Sequence, residues 1–202
     1  MTNYVNLINT WRRNWKTQTK YLAIVGCNSI NEAIKIAVKK AHSPSVARAL
    51  KTEGVSTSTA RNEVANYLEP KIADILNRDS FTFEEYDEWA SDVCTSIRGI
   101  YRDHGIADYT FGNAQKLLNM AIKYVLSADN IDPTLPIFKV AHIPVDRVIM
   151  KIAKNKLNVR PMETAWSHTD DLGEIISYQK RFRAAIPDNY SPVTWECENW
   201  SN

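Results

Sequence analysis

Two ionisable residues stand where a helical sequence has little local use for charge. Lys116 follows Thr110-Phe111-Gly112-Asn113-Ala114-Gln115 and precedes the apolar run Leu117-Leu118-Asn119-Met120-Ala121. Asp146 closes Ile143-Pro144-Val145-Asp146, thirty positions further on. A lysine in the first turn of a helix, near the positive end of the dipole and partly withdrawn from water, spends part of its time as the free amine. A free amine is the nucleophile of imine-forming chemistry. An aspartate at the head of the next helix is held ionised by the same dipole, and a fixed carboxylate stabilises positive charge developing at a reacting centre. Each residue also has an ordinary explanation, the lysine reaching solvent from a helix start and the aspartate serving as an N-cap. The chemical reading requires the two to meet, with amine and carboxylate within about 3–6 Å, where opposite charges act strongly on each other.

The elements that must position this pair read as helices, because apolar residues recur at offsets of three and four and long alternating runs are missing. Residues 2–22 carry Tyr4, Leu7, Ile8, Trp11 and Trp15 as a stripe, and residues 30–41 carry Ile30, Ala33, Ile34, Ala37 and Val38. Ser43-Pro44 predicts a break and a short helix to about Thr52; Thr57 or Ser58 opens another, to about Asn77, with a bend at Pro70. Thr82 with Glu85 is a capping-box pattern ahead of a helix over 83–103, which His104-Gly105-Ile106 ends. Residues 113–127 give the strongest helical pattern, and 128–143, with Pro133 and Pro136, an irregular loop. Pro144-Val145-Asp146 starts a helix to about Lys156, Ser167 with Asp170 caps a last one to about Ala185, and the tail from Pro187 shows no clear period. The expectation is an all-α chain, one domain over 1–202, in two lobes of about 1–105 and 106–202 with the cleft between them.

Composition narrows the function classes. Hydrophobic residues at 44% are too many for a disordered chain, and 6 Gly and 8 Pro are too few for a low-complexity one. A net charge of +2 excludes histone-like binding but leaves room for a local basic face. Candidates for such a face are Trp11-Arg12-Arg13-Asn14-Trp15-Lys16, Lys39-Lys40, Lys151, Lys154, Lys156 and Arg160, with Lys180, Arg181 and Arg183. Three scattered cysteines suit a reducing compartment, and neither they nor the four distant histidines have metal-ligand spacing, so no metal is expected. Phosphate-loop, dinucleotide and zinc-protease motifs are absent. No run approaches the roughly 18 apolar residues of a membrane helix, and the N-terminus lacks a signal-peptide layout; a soluble, cytoplasmic protein is expected.

Taken together, Gly112-Asn113-Ala114-Gln115-Lys116 with its apolar helix, and Ile143-Pro144-Val145-Asp146-Arg147, resemble the helix–hairpin–helix DNA glycosylases. The likeness is closest to the 8-oxoguanine glycosylases, in particular their archaeal-type branch, and spans residues 109–154. The tail segment Ser191-Pro192-Val193-Thr194-Trp195-Glu196-Cys197-Glu198-Asn199-Trp200 resembles the C-terminal segment of that branch, with Glu196 where the family usually has aspartate. The resemblance implies a bilobed glycosylase-like fold and excision of a flipped base from double-stranded DNA. It implies Lys116 as nucleophile and Asp146 as catalytic carboxylate, with Trp200 stacking on the base and Glu196 accepting its N–H groups. The hairpin residues Phe111, Gly112 and Asn113 would approach a DNA phosphate. No cofactor is implied, a monomer suffices, and strand cleavage can follow base release; DNA repair or anti-phage defence would be the setting. The rival expectation is a non-catalytic helical protein, from a mobile element or defence locus, that binds nucleic acid or a protein partner.

Overall fold

The structure is a computed structural model that describes residues 2–18, 24–46 and 57–200, and among these every regular element is a helix. In chain order they are α1 (Thr2–Gln18), α2 (Ile30–Val46), α3 (Thr57–Leu76), α4 (Phe83–Asp103), α5 (Phe111–Leu126), α6 (Ile137–Val140), α7 (Arg147–Leu157), α8 (Leu172–Ala185) and α9 (Pro192–Asn199), with a 3-10 turn at Trp166–His168. Among the described residues no helix is long and apolar enough to cross a membrane.

Local chemistry sets the boundaries. Thr82 and Glu85 form the reciprocal capping box that starts α4. At its other end Gly105 takes the left-handed φ of +81°, so Gly105 N–H reaches Arg102 O and Ile106 N–H reaches Tyr101 O. That pair of bonds satisfies carbonyls the helix would otherwise leave open, and glycine adopts the conformation without a Cβ penalty. Thr110 then caps α5 by accepting from Asn113 N–H.

Helix α5 is the centre of the molecule. Every residue from Gly112 to Leu126 is buried, with α2 and α4 packed most closely on it and α8 and the Trp166–His168 turn completing its cover. A helix buried on all sides should be apolar all round; α5 nevertheless carries Asn113, Gln115, Lys116, Asn119 and Lys123. Asn113 turns back to Thr110, and the other four find partners on distant segments of the chain.

Four expectations change. Helix α2 continues through Ser43 and Pro44 to Val46 instead of breaking there, since a proline removes one amide and does not by itself stop a helix near its end; the proposed short helix to Thr52 falls largely outside the described residues. The 128–143 loop contains α6, and the tail folds as α9, capped by Ser191 with Thr194 and led by Pro192. Helix α8 is capped by Asp171, not by Ser167 and Asp170; Ser167 lies in the 3-10 turn, and Asp170 binds Arg98 and Arg102. The apolar interior forms two clusters that part between Ala141 and Ile143. The first gathers α1 to α6 with Val193 and Cys197, and the second gathers the Ile143–Val145 segment, α7, α8 and Trp195.

Candidate active site

The boundary between the clusters is where Lys116 and Asp146 meet. Lys116 projects from α5, Asp146 heads α7, and Nζ lies 2.7 Å from Asp146 Oδ2 with Pro144 O at 3.4 Å. Their side chains are 10% and 18% exposed, so the ion pair is mostly desolvated yet reaches the surface. Asp146 also caps α7, because its Oδ1 accepts Ile149 N–H at 2.9 Å. One carboxylate oxygen is therefore fixed by the helix it starts, and the other is left for the amine. Lys116 is the sixth residue of its helix, in the second turn and not the first. The dipole acts mainly over the first turn, so the charge beside this amine is the carboxylate.

The segment leading into Asp146 is buried and belongs to no helix, and no strand lies beside it among the described residues. Gln179 bonds Ile143 through both its amide atoms, accepting from N–H at 3.2 Å and donating to O at 2.8 Å. Gln115 does the same to Val145, at 3.1 and 2.9 Å. Asn119 Nδ2 adds bonds to Gln115 Oε1 and Ile143 O, both 3.1 Å. Just upstream, His142 Nε2 meets Asp87 Oδ1 at 2.7 Å, and Arg183 holds the same carboxylate with two nitrogens at 2.7 and 2.9 Å. Burial opposes the charge on Asp87, but hydrogen bonds from His142 and Arg183 hold its pKa well below the usual carboxylate range. Burial lowers His142 from the ordinary 6.5, with Asp87 pulling the other way.

Two turns along the same face of α5 lies Lys123, about 10 Å from Lys116 along the axis. Its Nζ meets Glu196 Oε2 at 2.5 Å, both side chains almost wholly buried. The Trp200 ring centre is 5.2 Å from that nitrogen and the Trp11 ring centre 5.8 Å. Glu196 thus faces inward on α9, whereas Trp200, which ends that helix, is 39% exposed. The neighbouring Cys197 thiol is pushed well up by burial, with Glu196 adding to the effect and Lys123 opposing it.

Phe111, Gly112 and Asn113 are occupied within the chain. Their amides donate to Asp170 Oδ1, Thr169 O and Thr110 Oγ1 at 3.3, 2.9 and 3.2 Å. A Cβ on Gly112 would sit 1.6 Å from Trp166 O, so this glycine serves the close approach of the 166–170 segment. The three amides that the resemblance reserves for a DNA phosphate already have acceptors. Two basic residues are likewise engaged inside: Arg12 caps the end of α5 through Leu126 O and Ile131 O, both at 2.8 Å, and Arg183 holds Asp87, which the exposed Lys180 also reaches at 3.6 Å. Lys39, Lys151, Lys154, Lys156 and Arg160 are exposed, with Lys156 reaching Asn199 and Arg160 reaching Glu163. The side chains of Trp15 and Lys16 lie outside the described residues. Among the described residues no three His, Cys, Asp or Glu side chains gather as a metal site.

Sequence reasoning missed Lys123, Gln115 and Gln179. A signal for Lys123 was present: it is seven positions from Lys116, on the same face of a helix whose other residues are apolar enough to be buried. Comparison of the chain with protein-family models, curated proteins and solved structures finds no match.

Proposed function

We propose that this chain is a DNA base-excision glycosylase with a helix–hairpin–helix-like frame, using Lys116 as nucleophile and Asp146 as its carboxylate partner. The observation that carries the reading is the 2.7 Å pair between an amine on a buried helix and a carboxylate whose other oxygen is locked by its own helix. A purely structural ion pair needs no such division of labour.

At rest the Lys116 amine lies against the Asp146 carboxylate, 2.7 Å away. Once a damaged or modified base is flipped from duplex DNA, unstacking is offset by contacts made only in the flipped state. One Lys116 proton passes to water, directly or by way of Asp146, so that Asp146 is again a carboxylate, and the Nζ lone pair bonds to the anomeric carbon. The glycosidic bond breaks as that bond forms, and the base leaves with the bonding electrons and takes a proton. The Asp146 carboxylate stabilises the sugar's positive charge in a site of low dielectric. Nζ then gives up one of its two protons, its lone pair forms the C=N bond as the sugar ring opens, and the ring oxygen leaves with the C–O bonding pair and takes a proton, giving a protonated imine from which strand cleavage can proceed. Trp200 offers an exposed aromatic face for the base. Glu196 would exchange its contact with Lys123 for the base N–H groups, and Lys123 would then face a base acceptor. The chain acts as a monomer, and the exposed lysines of α7 track phosphates.

Borohydride trapping over a panel of duplexes with different lesions tests the reading. A covalent adduct on at least one lesion, absent with Lys116→Gln, supports it. The engaged hairpin amides favour the second reading, a non-catalytic helical protein that binds nucleic acid or a protein partner. No adduct and no base release on any duplex would decide for that reading.

A further inference from the structure

We infer that Gln115 and Gln179 are positioning residues, two carboxamides that hold the Ile143–Val145 backbone and thereby aim Asp146 at Lys116. The inference rests on the function proposed above. A buried segment outside helix and sheet must find partners for its backbone groups or lose the energy of desolvating them. Ile143 and Val145 each offer N–H and C=O together to one side chain, and Pro144 between them has no N–H to satisfy. A glutamine carboxamide sets an NH2 donor group beside a carbonyl acceptor, as a peptide group sets N–H beside C=O. Gln179 and Gln115 each use both atoms on a single residue, so two side chains stand in for the missing neighbouring strand.

The arrangement also fixes register. Gln115 and Lys116 are adjacent on α5, and they engage Val145 and Asp146, adjacent on the opposing segment. A slip of one residue would break both Val145 bonds and carry the carboxylate away from the amine together. Gln179 comes from α8, in the second apolar cluster, and Gln115 from α5, in the first, so the two glutamines together join the clusters at the site.

The test compares Gln115→Met, Gln179→Met and Asp146→Asn with wild type in two measurements. The first is the rate of reductive methylation of Lys116, read by peptide mass spectrometry against the exposed Lys39, Lys151 and Lys154. The second is single-turnover base release beside DNA affinity, on a lesion that gives an adduct. Both methionine variants are expected to speed methylation at Lys116 selectively, towards the Asp146→Asn rate. They are also expected to slow base release about 10- to 100-fold, the scale of a small misplacement at a reacting centre, with DNA affinity near that of wild type. Leu68→Ala, in the core away from the site, controls for general loss of stability. Unchanged Lys116 methylation in folded Gln115→Met and Gln179→Met, or an equal change in Leu68→Ala, would overturn the inference. Wild-type protein that releases no base from any duplex counts against the proposed function alone, since the methylation arm reads the Lys116–Asp146 geometry without DNA.

Discussion

Asp146 combines two roles that substitution can separate. Asparagine caps a helix about as well as aspartate, whereas alanine does not. Asp146→Asn should therefore keep α7 and lose the charge, slowing base release about 100- to 1,000-fold, the range seen when one preorganised stabilising group is removed. Asp146→Ala should show the same kinetic loss and a further drop of about 1 kcal/mol in folding stability from the missing cap. Lys116→Gln should abolish covalent trapping. It should also cost about 1–3 kcal/mol of stability, because it leaves a mostly desolvated carboxylate without its cation. Urea melts beside trapping assays on the three variants measure both effects; a Lys116→Gln protein releasing base at the wild-type rate would exclude the nucleophile.

At the scale of elements, α5 and α9 are joined by a charge pair in a nearly dry interior. Removing one member of such a pair is expected to be expensive, about 3–5 kcal/mol, because the other is left uncompensated. Lys123→Met should thus destabilise the protein severely. Lys123→Met combined with Glu196→Gln should recover much of the loss, and a double variant no more stable than the single one would contradict this account. Trp200 ends α9 and is 39% exposed, so Trp200→Ala should leave the melting temperature nearly unchanged. If Trp200 stacks on the flipped base, the same variant loses about 1–3 kcal/mol of lesion binding. A large fall in melting temperature with lesion preference intact would make Trp200 a packing residue.

At the scale of the whole molecule, the His142–Asp87–Arg183 network ties α4 and α8 to the segment that leads into the site. His142 and His42 are both lowered from 6.5, chiefly by burial. A depressed folded-state value means the unfolded chain binds the proton more readily. The stability these histidines contribute is full above 6.5 and is lost as pH falls through their folded-state values. Asp87 is also depressed, but its share is lost only below the ordinary carboxylate value of 3.8. The melting temperature should therefore be flat from about pH 8 to 7 and decline from about pH 6.5 downward. His142→Gln should flatten part of that decline. A wild-type melting temperature constant from about pH 8 to pH 5 would show that neither histidine is held neutral by its surroundings.

Much of the helical plan was legible because it is local. The Thr82–Glu85 box, the Gly105 stop, the apolar period of α5 and the Asp146 start of α7 depend on residues within a turn or two of each other. The same reasoning went astray at Pro44 and Asp171, and it passed over the Ser191-Pro192 start of α9, whose short length gives periodicity little to work on. The candidate site was legible only as two suspicious residue types. That Lys116 and Asp146 lie 2.7 Å apart was decided by how α5 packs against the Ile143–Val145 segment. Tertiary structure also turned Glu196 inward to Lys123, drew Arg12 to the end of α5, and gave the hairpin amides to the 166–170 segment. Such pairings leave no period or spacing in a sequence. A helix's own hydrogen bonds are determined within its turns, but the partner of a buried polar side chain depends on which distant element the packing brings within about 3 Å of it.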